Sequence, residues 1–332
     1  LGTLYALGGA LEMAQEQVDA LTESGVNTPD VKVLRARMLA INGDLEASRV
    51  ELEEALAEEP SNVQALGLLA SIAATKDLDS ALKLIDQGIA TTENARPLRL
   101  LRLQLLTRAE RLEEVEADYK ALIADYPDEP AFGYQYARFL VEQGRSDDVT
   151  AVLRGIIDQT PDDPQPRLAL TQYVAGTRGT EAAETLLREF VAEKPDMLDL
   201  RNTLARYYQA NNRLDDAFAE YETVSDQAGN DDIGLTARAR MAGIQMMRGE
   251  NEVGEALLND ILKTDSMNTE ALILRGALYT QQEGFRDAVA DFRNALRKDP
   301  ENRRAQLLLA QTHVRAGDPL LAKDAYRRVL DS

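Results

Sequence analysis

The chain has 332 residues, 44% of them hydrophobic but only 5% aromatic, with 37 Lys and Arg against 57 Asp and Glu. A net charge of −20 repels a phosphate backbone, so no nucleic-acid partner is expected. With no cysteine and one histidine, disulfides, thiolate chemistry and a zinc site are not expected, and no apolar run is long enough to span a membrane.

In chain order, residues 1–28 read as the end of one helix and a complete second helix, with Leu11, Ala14, Val18 and Leu21 on one face and a turn at Gly8-Gly9. Helix pairs are then expected over 29–62, 63–95, 96–129, 130–163, 164–197, 198–234, 235–268, 269–302 and 303–332. Their apolar residues recur three and four apart, as a helix requires. A small or β-branched residue keeps register through Ala14, Ser48, Ala81, Val115, Val149, Ala183, Ala217, Gly254, Ala288 and Ala322. Prolines close second helices at Pro60, Pro127, Pro161, Pro195 and Pro300, and glycines mark turns at Gly43, Gly144, Gly249 and Gly317. The 63–95 pair is one residue short, which predicts a shortened turn at Lys76-Asp77. The 198–234 pair carries extra polar residues, which predict a longer, flexible loop over Ser225–Asp232.

The clearest pair is Thr269–Pro300. Leu272, Gly276 and Tyr279 share a face of its first helix. Glu283-Gly284 is its turn. Phe285, Ala288, Phe292, Ala295 and Leu296 line its second helix, and Pro300 ends it. This stretch resembles the tetratricopeptide repeat, a 34-residue helix–turn–helix unit: Gly276 and Ala288 stand at its small positions, Tyr279, Phe285 and Phe292 at its aromatic ones, and Pro300 at its proline. The resemblance implies an all-α fold, a right-handed superhelical α-solenoid of such repeats. It implies a partial repeat at 1–28, an N-terminal and central array of six repeats at 29–234, and a C-terminal array at 235–332. The last helix, with Leu320, Leu321, Ala325, Val329 and Leu330, lacks a polar capping face, so further repeats or a contact with another molecule are expected at the ends.

Catalytic constellations are not found. His313 stands at the Tyr279 equivalent and is expected to pack as a half-buried residue. No nucleophile elbow, phosphate loop or dinucleotide glycine pattern occurs, and Asn230-Asp231-Asp232 lacks calcium-loop spacing. No enzyme activity, cofactor or metal is therefore expected.

In the family, positions 2, 5, 9 and 12 of each first helix face a concave groove. Here position 9 carries Arg37, Gln104, Arg138, Gln172, Arg206 and Gln311. Tyr134, Asn202 and Ile273 join from position 5, and Gln209 and Met246 from position 12. Arg and amide side chains suit the carbonyls and carboxylates of an extended peptide. The later, more apolar residues (Ala239, Met246, Ile273, Ala277, Leu307, Val314) suit an apolar segment. The same arginines in an acidic chain also read as surface ion pairs with neighbouring carboxylates. Lysines of the chaperone-type carboxylate clamp are missing.

The expected function is a non-catalytic scaffold binding a peptide or protein. The alternative is the regulatory or targeting part of a larger enzyme. The cysteine-free, Ala-rich style resembles bacterial envelope repeat proteins, including the repeat lipoproteins of the PEP-CTERM sorting system, above all in FRDAVADFRNALRKDPENRRAQLLLAQTHVRAGDPLLAKDAYRRVL. It points to an exopolysaccharide-export setting and to the periplasm or envelope over the cytoplasm.

Overall fold

The computed structural model describes residues 11–331; the Gly8-Gly9 turn and the helix end expected before it lie outside them. The chain divides into two compact units, Leu1–Val152 and Leu153–Ser332. The first holds α1 (Leu11–Glu23) and the pairs α2 (Pro29–Ile41) with α3 (Leu45–Glu58), α4 (Val63–Ala74) with α5 (Leu78–Thr91), and α6 (Arg96–Arg108) with α7 (Leu112–Asp125). It also holds α8 (Pro130–Glu142). The division falls within α9 (Ser146–Gln159). The second unit holds α10 (Pro164–Arg178) with α11 (Thr180–Glu193), and α12 (Leu198–Ala210) with α13 (Leu214–Ala228). Next come α14 (Asp232–Met247) with α15 (Asn251–Thr264), α16 (Thr269–Gln281) with α17 (Phe285–Lys298), and α18 (Arg303–Arg315) with α19 (Pro319–Asp331). Among the described residues there is no strand.

Local chemistry starts these helices. Pro29, Pro130 and Pro164 sit where a helix needs no N–H. The Asn62, Asn268 and Asn302 side chains accept from the N–H groups of Ala65, Ala271 and Ala305 at 2.9, 3.0 and 3.0 Å. Within most pairs the chain reverses through one left-handed residue, supplied by Gly43, Gly144, Gly249 and Gly317. At three turns a non-glycine holds that conformation: Glu110, Asn212 and Glu283. In the clearest pair, the left-handed residue is thus Glu283 at φ 65°, and Gly284 beside it has φ −79°.

Two expectations are corrected. The Ser225–Asp232 run is mostly helical: α13 runs on to Ala228 and α14 starts at Asp232. The extra residues lengthen the two helices to 15 and 16 residues, and Arg238 ties their junction by donating to the Gly229 carbonyl at 3.1 Å. The 63–95 pair keeps a three-residue turn and shortens α4 to 12 residues instead, with no left-handed residue at the turn.

Within each unit, first helices pack on first helices: α2 on α4 and α4 on α6 in one, α10 on α12, and α14 on α16 on α18 in the other. Second helices pack on the first helices that flank them. The register residues lie at these crossings. Ala14, Ser48, Ala81, Val115, Ala183, Ala217 and Ala288 are all fully buried. A Cβ on Gly276 would come within 2.8 Å of the Phe292 ring, so that crossing tolerates only glycine as built. Turn cations reach the second helix of the preceding pair: Lys76 to Glu46, Arg111 to Asp79, Arg145 to Glu116, Arg213 to Glu184 and Arg248 to Asp215.

Candidate functional site

Most arginines on the first helices are neutralised within the chain, and position along the helix decides which. Counting from the start of each pair, Arg35, Arg102 and Arg275 hold position 7. Each pairs with an acid 16 residues on, in its own second helix: Glu51, Asp118 and Asp291. Arg275 is bidentate to Asp291 at 2.8 and 2.7 Å and also donates to Asn259 at 2.7 Å. Position 4 behaves similarly. Lys32 reaches Glu54 and Glu58 at 2.9 Å, and Arg201 reaches Glu220 at 2.8 Å. Arg167, Arg201 and Gln306 donate to the carbonyls of Pro161, Pro195 and Pro300, which close the preceding pairs. Reading positions 2, 5, 9 and 12 missed this stripe. The recurring 16-residue Arg-to-acid spacing was the available signal.

Position 9 differs. Arg206 is exposed and pairs with no carboxylate among the described residues. The Nε of Arg37 is buried without a hydrogen-bond partner. Arg138 is exposed and meets only Glu142, one turn along its own helix, at 3.4 Å. An exposed pair of that kind contributes little, about 0.3–0.5 kcal/mol.

In the second unit, Gln172, Asn202, Arg206 and Gln209 come together along an open groove on α10, α12 and α14, about 1020 Å³ in volume. Thr171, Thr203, Thr236, Asn211 and Arg240 add to its polar lining, and no Asp or Glu lines it. Gln209 accepts from the Tyr221 hydroxyl at 3.2 Å, which leaves its amide N–H groups for the groove. Burial pushes the Tyr221 phenol up, while Arg240 and Arg206 pull it down, a sign of positive potential here.

In the first unit, Arg37 lines a smaller hollow with Gln64, Ser71 and Asn94. Gln104 lines an adjoining one with Ser71 and Arg108. Tyr134 is half-buried on α8, one turn before Arg138. Gln311 is exposed on α18, in one stripe with the exposed Leu307 and Val314.

One apolar candidate is corrected and a second is half covered. Ile273 is buried against Leu272, Ala295 and Ala305. Met246 is half-buried, on the cluster of Leu235, Ala239 and Leu258. Their faces are taken by neighbouring helices, because an aliphatic side chain at a crossing gains more from packing than from exposure. Ala239 is buried too.

His313 is 5% exposed, and burial, then Arg293, hold its pKa below the ordinary histidine value. Among the described residues, no group of three or more His, Cys, Asp or Glu could hold a metal ion. None of the described helices is long and apolar enough to cross a membrane.

Family models described as tetratricopeptide repeat match residues 33–95 and 273–332, and 106–173. The chain is 38% identical over 68 residues to tetratricopeptide repeat protein 14 of Mus musculus, covering 20% of this chain and 9% of that protein. It is 32% identical over 110 residues to the TPR repeat-containing protein YpiA of Bacillus subtilis (strain 168), covering 33% and 26%. The matches thus span about a quarter or less of these relatives.

Similar solved structures include PilW, a widely conserved type IV pilus biogenesis factor (TM-score 0.47, 14% identity, 61% of this chain and 92% of that one). YrrB, a TPR protein with an unusual peptide-binding site, is similar at TM-score 0.37 and 13% identity over 54% and 91%. A tetratricopeptide repeat protein from Parabacteroides merdae ATCC 43184 is similar at 0.42 and 14% over 86% and 98%. At these scores the likenesses carry no argument about partners. The helix pairs, their register and the matched repeat models together show that the chain belongs to the tetratricopeptide repeat proteins.

Proposed function

We propose that the chain is a non-catalytic binding module, and that the groove on α10, α12 and α14 takes an extended segment of a partner protein. One observation carries this reading. The chain has 57 acids against 37 bases, yet Arg206 stays unpaired in a groove that no carboxylate lines. An unpaired guanidinium beside Gln172, Asn202 and Gln209 presents N–H donors to the carbonyls and carboxylates that an extended peptide leaves open. The array at 29–234 then offers donors through Arg37, Gln104, Tyr134 and Arg138 as well. The array at 235–332 offers Gln311 between exposed Leu307 and Val314, a surface for a more apolar segment. We place the module in a bacterial envelope assembly or exopolysaccharide export system; the cysteine-free composition suits an exported setting.

The test is capture of partners from the envelope and cytosolic fractions with the wild-type chain and with Arg206→Glu. The variant is expected to lose a specific envelope partner by about tenfold or more while keeping its helicity. Equal capture by the variant overturns the groove, and capture from the cytosolic fraction alone overturns the envelope setting.

A further inference from the structure

A cleft of about 440 Å³ opens between α17 and α19, floored by Gln306, Leu309 and His313 of α18. Its counterpart lies 34 residues back in the chain, between α15 and α17. There Arg275 stands at the centre, where Leu309 stands here. Asn259 flanks it where Arg293 stands, and Asp291 closes it where Ala325 stands. Arg275 is held by both flanks, and Asp291 is 4% exposed. Between α5 and α7 the same plan recurs, with Arg102 between Asp86 and Asp118.

In the cleft of α17, α18 and α19 the charges are rearranged. The centre is apolar Leu309. A cation has moved to the flank as Arg293, with Arg297 and Arg328 nearby, and Ala325 replaces the closing acid. Asp324 is the single carboxylate in the lining. Arg297 turns to the Met267 sulfur at 3.3 Å. Neither Arg293 nor Arg328 has a carboxylate within ion-pair distance among the described residues. Leu296, Leu309 and Leu321 make the walls apolar.

His313 is a second, independent sign. It lines the cleft, is 5% exposed, and its Nδ1 is buried with no hydrogen-bond partner. Its counterpart Tyr279 donates its hydroxyl to Glu255 at 2.9 Å. Here Val289 stands where that glutamate would be, so the chain offers His313 no such partner. A buried ring nitrogen without a partner has given up its hydrogen bond to water, a loss that a polar ligand can offset.

We propose that this cleft binds a carboxylate carried on an apolar group. Its oxygens stand in for the absent aspartate and pair with Arg293 and Arg328, while Leu296, Leu309 and Leu321 cover the apolar part. The acid comes either from a free aliphatic acid or from an acidic side chain of a peptide; the chemistry that recognises it is the same. The site shares no residue with the groove of α10, α12 and α14 and does not rest on it, so Arg206→Glu leaves it unchanged.

The test titrates the full chain with octanoate and, separately, with acetyl-Leu-Glu-Leu-amide, following the His313 ring resonances by NMR. Either probe is expected to shift them at concentrations below about 10 mM. Octanoate alone identifies a free acid, and the peptide alone identifies a partner's side chain. No shift with either overturns the proposal. Arg293→Gln is expected to weaken binding about tenfold. The double variant Leu309→Arg with Ala325→Asp rebuilds the counterpart's internal ion pair and is expected to abolish binding with helicity kept. Unchanged binding in Arg293→Gln overturns the proposal whether or not the double variant folds.

Discussion

Glu116 shows how much one carboxylate carries in this chain. It accepts from the Tyr136 hydroxyl at 2.9 Å and pairs with Arg145 and, at 2.7 Å, with Lys120. Arg145, then Lys120, hold its pKa at about 2. A glutamate in the unfolded chain titrates near about 4.3. The folded value is the lower one, so the stabilisation is complete above the unfolded pKa and is lost as pH falls through the folded one. Glu116→Gln is expected to cost about 1–3 kcal/mol at pH 7. Its urea midpoint should then fall less steeply than wild type between pH 5 and 2. Asp291→Ala removes the partner of a half-buried guanidinium and is expected to cost about 2–4 kcal/mol by the same measurement. Little of this was legible in the sequence. Arg35, Arg102 and Arg275 find their acids on a different helix, whereas the position-9 residues follow from the period of a single helix.

At the scale of the element, the helix pairs and their register were legible, because both follow from local rules. A 3.6-residue period shows which face is apolar, and a small residue recurs where helices cross closely. The turn was less so. Its left-handed position goes to Glu283 although a glycine stands next to it. Glu283→Gly is expected to stabilise by about 1 kcal/mol, read as a raised urea midpoint. Two helical glycines should respond oppositely to alanine. Gly276→Ala drives a methyl into the Phe292 ring and should cost about 1–3 kcal/mol. Gly155→Ala meets nothing within 4 Å and should gain up to about 1 kcal/mol. Equal signs for the two would refute this account of the crossing.

Within each unit, helices pack on the next helix, and first helices also pack on the next first helix. Stability is then close to a sum of pair and neighbour terms. Urea unfolding is expected in more than one step, with hydrogen exchange reporting different opening energies along the chain. A single transition, with the steepness expected for all 332 residues, would show stronger coupling. The Ser225–Asp232 run, read from its polar composition as a loop, is helical except at Gly229, Asn230 and Asp231. Composition reports solvent preference, and an exposed helix end satisfies it as well as a loop does. The sequence by itself determined the all-α helix-pair fold and its family. Those depend on periods and caps within one pair. Only the tertiary structure decided which cations are neutralised, leaving Arg206 free in a carboxylate-free groove and Arg293 beside an unpartnered His313. A charge is cancelled by whatever lies within about 4 Å, and here that neighbour is often 16 to 33 residues away on another helix.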